Sequence, residues 1–140
     1  MNNYNYIIGG GGMTADSTVK GIREIDKSGK IAVFSEEKDP PYNRPPLSKV
    51  LWKGDSIDSI WRKTEKATVD FFTSTSLLSV DPSAKSVKAS DGKTYYYEKL
   101  LLATGGRQRR LSYGGDEVIY FRTVDDYKRL RSISEHGTLE

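Results

Sequence analysis

The chain has 140 residues, 36% of them hydrophobic, which is enough for one domain with a core of ordinary size. Its 22 Lys and Arg residues and 19 Asp and Glu residues give a net charge of +3, and because the charges are interleaved we expect no nucleic-acid partner. The absence of cysteine excludes disulfides, thiolate metal sites and a cysteine redox pair within this sequence.

The first residues do not resemble a targeting signal. Residues 1–5 lack the basic region and long apolar run of a secretory signal, and no segment reaches the ~18 apolar residues of a membrane span. We therefore expect a cytoplasmic protein that does not contact a membrane.

A β-α-β unit is predicted at the start of the chain. A strand over residues 4–8 runs into four consecutive glycines and then into a helix over residues 13–26. Within this helix, Val19, Ile22 and Ile25 recur at a spacing of three and are expected to form one apolar stripe against a sheet.

The helix is predicted to end at Lys27-Ser28-Gly29, before a second strand over residues 30–35 that is buried on both faces. Residues 39–46 then hold four of the five prolines, which predicts a rigid loop that is neither regular helix nor central strand. A short helix over residues 47–52 closed by Gly54, and a short turn over residues 57–61, should follow.

The middle of the chain has a β pattern. Asp81-Pro82 and Asp91-Gly92 are turn sequences, so we predict an antiparallel meander around them. The last strand-like segment is uniformly apolar, which suits a central parallel strand of the first sheet. The predicted strands cover residues 69–73, 77–80, 86–89, 94–97 and 100–104.

The end of the chain is predicted to hold one strand and one helix. The strand covers residues 118–121, and the helix covers residues 124–134 with Tyr127, Leu130 and Ile133 on one face. The single histidine, His136, cannot form a metal site alone, and we assign neither a metal site nor a catalytic residue to this sequence.

The glycine-rich segment fits the dinucleotide-binding pattern G-x-G-x-x-A between a strand and a helix. Gly10 allows a tight turn, Gly12 lets a pyrophosphate approach the backbone, and the small Ala15 permits close packing of helix on sheet. The helix amino terminus offers free N–H groups and a positive dipole to phosphates. The predicted pyrophosphate-binding residues are Gly10, Gly11, Gly12, Met13, Thr14 and Ala15.

An acidic residue about 20 residues further on should accept hydrogen bonds from ribose hydroxyls. Glu36 meets this requirement at the end of the second strand, and Glu37 stands beside it. An acid here would repel a 2′-phosphate, so this position favours FAD or NAD over NADP.

Two further motifs narrow the class of protein. Residues 41–49 read PYNRPPLSK and residues 103–106 read ATGG, while residues 120–126 read YFRTVDD. With the glycine loop, these motifs resemble the flavoproteins of the pyridine nucleotide-disulfide oxidoreductase superfamily, in the branch of the ferredoxin and rubredoxin reductases and the apoptosis-inducing-factor-like oxidoreductases.

This resemblance implies roles for further residues in binding FAD. Arg44 and Lys49 would place cations near the phosphates and the flavin, and Lys49 matches a family lysine close to the isoalloxazine ring. Thr104 would close over the cofactor at the sheet edge. The cofactor-binding residues implied in addition to the glycine loop and its acid are Arg44, Lys49, Leu77, Ala103, Thr104, Gly105 and Arg122.

The resemblance also implies an α/β fold, a Rossmann-like FAD/NAD(P)-binding domain with three β/β/α layers, containing a parallel sheet and an antiparallel meander. Residues 1–140 would be the incomplete amino-terminal part of that domain. The NAD(P)H-binding and carboxyl-terminal domains, and contact with an acceptor such as ferredoxin or rubredoxin, would lie outside it. An unpaired sheet edge would then favour self-association.

Three hypotheses stay open at this stage. The chain is the FAD-binding part of an NAD(P)H-dependent oxidoreductase, as a fragment, a truncated product or half of a split protein. Alternatively, it is a free-standing flavin- or nucleotide-binding subunit without catalysis of its own. The third hypothesis is a basic interaction domain that has kept the fold without the cofactor.

Overall fold

The structure is a computed structural model that describes residues 2–136, with the side chains of all but residues 65, 66, 116 and 136. The prediction about His136 therefore lies outside the described side chains. The chain divides into two compact units. The first comprises Met1–Tyr42 and Trp61–Gly105, and the second comprises Asn43–Ile60 and Gly106–Glu140.

The first unit is built on one sheet of six strands in the order β3-β2-β1-β6-β5-β4. Strands β1, β2, β3 and part of β6 are parallel, whereas β4, β5 and the start of β6 form the predicted antiparallel meander. The strands are β1 (Asn3–Gly9), β2 (Ile31–Phe34), β3 (Asp70–Phe72), β4 (Leu77–Asp81), β5 (Ser86–Ala89) and β6 (Thr94–Leu102).

Strand β6 belongs to both halves of the sheet. Its start pairs antiparallel with β5, and its residues 96–102 pair parallel with β1, with Gly9 beside Leu102. The sequence analysis predicted two separate strands here, over residues 94–97 and 100–104. The structure shows one continuous strand, in which the intervening Glu98 and Lys99 are exposed and lie within the β1–β6 pairing.

The burial predicted for the leucines of β6 is only partly correct. Leu100 packs against the core, but Leu101 is 36% exposed and Leu102 is 56% exposed. The prediction of a parallel strand beside β1 is confirmed. The leucines are more exposed than a central strand predicts because the helix of this unit packs over β1, β2 and β3 instead.

Helix α1 (Met13–Ile25) confirms the predicted helix between β1 and β2. Ala15 and Val19 are buried against Ile8 and Val33, so the helix covers one face of the parallel strands. Ile25 was expected to extend this stripe but is 91% exposed. The reason is geometric: each step of three residues falls about 60° short of a full turn, so positions spaced by three drift around the helix.

The other face of the parallel strands is covered by the meander. Phe34 stacks on Phe72 with ring centroids 4.7 Å apart, and the ring of Tyr95 from β6 meets Phe34 edge-on at 4.8 Å. Val87 and Ala89 of β5 belong to the same buried cluster. The layers are therefore meander, parallel sheet and helix, which confirms the predicted β/β/α architecture.

The second unit contains short 3-10 helices and one α-helix. The proline-rich loop runs into 3-10 helices Pro45–Ser48 and Val50–Lys53, and Gly54, with φ of 103°, closes the second. A third 3-10 helix, Ile57–Ile60, occupies the predicted turn. The short helix predicted over residues 47–52 is thus realised as two tight turns, because Pro45 and Pro46 fix the start of the first one.

Helix α2 (Val124–His136) begins with a reciprocal cap between its first residues. The Thr123 N–H donates to Asp126 Oδ2 at 2.6 Å, and the Asp126 N–H donates to Thr123 Oγ1 at 3.2 Å. Tyr127 is buried and meets the Trp52 ring edge-on, with centroids 5.5 Å apart. Of the predicted apolar face, Ile133 is the exposed member.

The strand predicted over residues 118–121 is wrong. These residues follow the 3-10 helix Gly115–Glu117 and have no strand assignment. Their Val, Ile, Tyr and Phe side chains favour β structure, but that preference depends on a neighbouring strand to pair with.

No helix among the described residues has the length and apolar character to cross a membrane.

Candidate functional site

The glycine loop lies between β1 and α1, and close packing within the protein leaves no room for a side chain at Gly10 or Gly11. Gly10 has φ of +124°, and a Cβ there would lie 2.1 Å from the Ala103 carbonyl oxygen. A Cβ on Gly11 would lie 2.2 Å from Ser35 Oγ. The loop therefore packs tightly against the residues that follow β6 and β2.

Gly12 differs from its neighbours because a Cβ there would meet nothing within 4 Å. It is the N-cap of α1, and as a glycine it offers no side-chain acceptor to the first N–H groups of the helix. Open space at a helix amino terminus suits an anionic group, which gains from both the N–H donors and the helix dipole. The geometry of the loop thus fits a phosphate.

The rest of the predicted motif surrounds this opening. Ala15 is fully buried on the face of α1 that packs on the sheet, where its small side chain permits close approach. Met13 and Thr14 are exposed in the first turn, and the Thr14 carbonyl accepts a hydrogen bond from Thr18 Oγ1 at 2.8 Å. Ala15 is therefore a packing residue, whereas Met13 and Thr14 are accessible.

The two acidic residues after β2 have different environments. Glu36 is exposed, whereas Glu37 is partly buried and accepts a hydrogen bond from the Tyr42 hydroxyl at 2.5 Å. The carboxylate of Glu37 is therefore engaged in holding the loop that carries Tyr42. Glu36 is the better candidate for contact with a ligand because its side chain is the more exposed of the two.

The carboxyl ends of β1, β2 and β6 meet at one edge of the sheet. The Ala103 N–H donates to the Gly9 carbonyl at 2.7 Å, and the Gly10 N–H donates to the Phe34 carbonyl at 2.8 Å. Thr104 and Gly105 follow Ala103 and are exposed. The structure thus brings the glycine loop, the end of β2 and the ATG segment together, at the edge where parallel sheets bind ligands.

Leu77 also lies at this end of the sheet. Its Cδ1 is 2.8 Å from where a Cβ on Gly9 would be, so the side chain fills the space beside the end of β1. It is partly buried and packs against the aromatic core. The side chain is therefore structural, and a contact with a ligand remains a prediction for its backbone.

The other three predicted residues lie in the second unit. Arg44 donates from Nη1 to the Arg122 carbonyl at 2.9 Å, and the Arg122 N–H donates to Asp126 Oδ2 at 2.9 Å. These bonds tie the proline-rich segment to the start of α2. Lys49 is exposed between the 3-10 helices Pro45–Ser48 and Val50–Lys53.

Sequence reasoning missed a buried acidic residue in the first turn of α1. Asp16 is completely buried, and its carboxylate accepts hydrogen bonds from Lys20 Nζ at 2.8 Å, Arg62 Nε at 2.6 Å and Thr64 Oγ1 at 2.7 Å. Burial alone would raise the pKa of Asp16, but these three bonds outweigh it and hold the pKa below the ordinary value. An acid on the apolar face of a predicted helix is the signal that could have indicated a buried partner.

The comparison with protein families matches residues 4–136 to the family described as pyridine nucleotide-disulphide oxidoreductase. The chain belongs to this family, which confirms the resemblance drawn from its motifs. Rubredoxin-NAD(+) reductase of Pseudomonas putida is 37% identical over 133 residues, covering 89% of this chain and 34% of that protein. Mitochondrial apoptosis-inducing factor 1 of Dictyostelium discoideum is 30% identical over 156 residues, covering 96% of this chain and 29% of that protein.

Solved structures of reductases share the fold. The ferredoxin reductase for the CYP199A2 system of Rhodopseudomonas palustris matches with a TM-score of 0.84 and 27% identity, covering 96% of this chain and 35% of that one. Putidaredoxin reductase in its covalent complex with putidaredoxin matches with a TM-score of 0.83 and 27% identity, covering 94% and 34% respectively. The chain spans about a third of the length of the curated relatives it matches.

Proposed function

We propose that this chain is the FAD-binding part of an NAD(P)H-dependent flavoprotein oxidoreductase that passes electrons to an acceptor such as ferredoxin or rubredoxin. The observation that carries the proposal is the open space at Gly12, at the amino terminus of α1 and at the edge of the sheet where β2 ends, two residues before Glu36. The names of the relatives support it, since they include rubredoxin and ferredoxin reductases.

The first unit has residues suited to the two ends of the ADP portion of FAD. The N–H groups that begin α1 at Gly12 and Met13 would bind the pyrophosphate, because an anion there gains from the helix dipole. The exposed carboxylate of Glu36 would accept hydrogen bonds from the ribose hydroxyls. Ala103, Thr104 and Gly105 would border the cofactor at the end of β6.

The roles of Arg44, Lys49 and Arg122 rest on the resemblance. Arg44 is anchored by its bond to the Arg122 carbonyl, which would fix its guanidinium at low entropic cost. Lys49 follows two prolines that stiffen its loop. We propose that these cations offset the negative charge of the cofactor.

Bound FAD would supply the redox chemistry, accepting a hydride from a nicotinamide and releasing electrons singly. The residues of this chain would bind and orient it. Because the chain spans about a third of its relatives' length, we assign the binding of NAD(P)H and of the acceptor protein to regions that the relatives have outside the matched part.

The test is a titration of the purified chain with FAD, followed by flavin fluorescence and visible absorbance. Glu36→Lys should weaken binding by roughly 10-fold or more, because it replaces a ribose acceptor with a group that cannot accept a hydrogen bond. Glu24→Lys is the matched control: it makes the same charge change at an exposed position of α1 and should alter the affinity less than about 2-fold. Equal affinities for both variants, or no binding by the parent chain, would contradict the proposal.

A further inference from the structure

Two buried serines have hydroxyl groups without a hydrogen-bond partner among the described residues. They are Ser35, which is 2% exposed, and Ser86, which is 9% exposed, and all their hydrogen bonds are made by backbone groups. Every fully buried side-chain oxygen or nitrogen in the described part of the chain has a partner. Both hydroxyls therefore reach the surface of the molecule, although little else of either residue does.

Ser35 lies at the edge of the sheet that carries the glycine loop. It follows the last residue of β2 and directly precedes Glu36. Its N–H donates to the Phe72 carbonyl at 2.8 Å, and its carbonyl accepts from the Thr75 N–H at 2.7 Å, so the backbone is fixed in place. A Cβ on Gly11 would lie 2.2 Å from Ser35 Oγ, which means that the hydroxyl stands directly against the loop. The accessible part of Ser35 is thus beside the site proposed for FAD.

The chemistry of a ribose suits this hydroxyl. Each ribose hydroxyl can both donate and accept a hydrogen bond, whereas an ionised carboxylate such as that of Glu36 only accepts. A ribose bound to Glu36 therefore keeps acceptor positions that need a donor. Ser35 can supply that donor, because it lies on the β2 side of the loop, next to Glu36 in the chain. The diphosphate would face the N–H groups that begin α1 instead.

We propose that the Ser35 hydroxyl donates a hydrogen bond to a ribose hydroxyl of the bound cofactor, which makes Ser35 a further cofactor-binding residue. This inference rests on the proposed function, in which FAD binds at the glycine loop and at Glu36. Because the hydroxyl has no partner among the described residues, its removal breaks no hydrogen bond between them. Its loss therefore lowers the affinity for the cofactor without destabilising the fold.

The experiment measures the affinity of the chain for ADP, which has the ribose and diphosphate of the adenosine half of FAD, by calorimetry. Ser35→Ala should bind ADP roughly 3- to 10-fold more weakly than the parent, as expected for the loss of one hydrogen bond between neutral groups. The midpoint of its urea denaturation should equal or exceed that of the parent, since alanine fits the space of serine and has no hydroxyl to leave unpaired.

Two analogues of ADP identify the atom that accepts the hydrogen bond. In 2′-deoxy-ADP and 3′-deoxy-ADP one ribose hydroxyl is missing. For the analogue that lacks the accepting hydroxyl, Ser35→Ala and the parent should have affinities within about 2-fold of each other, because the interaction is already absent. For the other analogue the loss of roughly 3- to 10-fold should persist.

Ser86→Ala is the matched control, because it removes the second hydroxyl that has no partner among the described residues. Ser86 pairs with Tyr96, which lies beside Asn3 at the opposite end of β1 from the glycine loop. Six residues of extended strand separate the two ends by about 20 Å. The ADP affinity of Ser86→Ala should stay within about 2-fold of the parent, since no direct contact with the ligand spans that distance.

The outcomes separate this inference from the proposed function. A parent chain that does not bind ADP overturns both. If the parent binds, a Ser35→Ala variant that binds as tightly, or a Ser86→Ala variant that is as weak as Ser35→Ala, overturns the role of Ser35 alone. An equal loss of affinity for ADP and both analogues overturns the contact with the ribose. A urea midpoint that falls together with the affinity also overturns the inference, because the hydroxyl would then act through the fold.

Discussion

Alanine substitutions at Gly10 and Gly12 should have different effects: the first should destabilise the fold, and the second should weaken FAD binding. In Gly10→Ala the new methyl group would lie 2.1 Å from the Ala103 carbonyl oxygen, on a backbone with φ of +124°. A non-glycine residue at positive φ costs about 1–2 kcal/mol, and overpacking adds about 1–3 kcal/mol. We expect Gly10→Ala to lower the free energy of unfolding by roughly 2–5 kcal/mol.

In Gly12→Ala the methyl group enters space with no atom within 4 Å, on a backbone with φ of −94°. Alanine is a poorer N-cap than glycine, but it also restricts the unfolded chain, and the two effects offset each other to within about 0.5 kcal/mol. Because the methyl group would occupy the space proposed for the diphosphate, Gly12→Ala should weaken FAD binding without destabilising the fold.

Urea denaturation followed by circular dichroism measures the first effect, and flavin fluorescence measures the second. The midpoint for Gly10→Ala should fall clearly below that of the parent, and the midpoint for Gly12→Ala should match it. If Gly12→Ala destabilises the chain as much as Gly10→Ala, or binds FAD as the parent does, the division of the loop into a packed part and an open part is wrong.

Two further predictions concern buried or capping carboxylates. Because the pKa of Asp16 is lowered in the folded state, the charged Asp16 stabilises the fold fully above the ordinary aspartate pKa, and this stabilisation is lost as the pH falls through the pKa of the folded state. In a series of urea denaturations at decreasing pH, the midpoint should therefore fall less steeply at acid pH for Asp16→Asn than for the parent. An equally steep fall of the midpoint in both proteins would contradict the cause given for the lowered pKa of Asp16. Asp126→Ala removes the reciprocal cap with Thr123 and should cost about 1 kcal/mol of unfolding free energy. Lys128→Ala, a control at an exposed position of the same helix, should cost less by the same assay.

The part of the fold that could be predicted is the part encoded by neighbouring residues. The β1-α1-β2 unit follows from local hydrophobic periods and from the glycines between the elements, and the structure confirms its bounds within a residue or two. The meander could be predicted because its turns depend on contacts that are local in sequence. Asp81 and Asp91 each accept hydrogen bonds from backbone N–H groups two or three residues further on.

The failures involve partners distant in sequence. Residues 118–121 have the composition of a strand, but a strand forms only where a neighbouring strand supplies backbone hydrogen bonds. Composition does not reveal whether such a neighbour is present. The end of β6 was expected to be buried, although burial depends on which strands a helix covers. Asp16 was missed because its partner Arg62 is 46 residues away, and no local pattern links them.

The candidate site was predictable in outline, and the structure refines it. The spacing of the glycines and of Glu36 follows from the β-α-β unit, which places both at one edge of the sheet. The sequence could not separate Glu36 from Glu37, because the distinction comes from their burial in the folded chain: Glu36 is exposed and Glu37 is partly buried. Nor could it show that Gly10 and Gly11 are packed whereas Gly12 faces open space.

The most direct test of FAD binding at this loop is a titration of the isotope-labelled chain with FAD, followed by the backbone amide signals in NMR spectra. The account predicts that the amides of Gly12 and Met13, at the start of α1, shift most, together with the amide of Glu36 after β2. Large shifts confined to α2, or no shifts at saturating FAD, would contradict the claim that the glycine loop binds the cofactor.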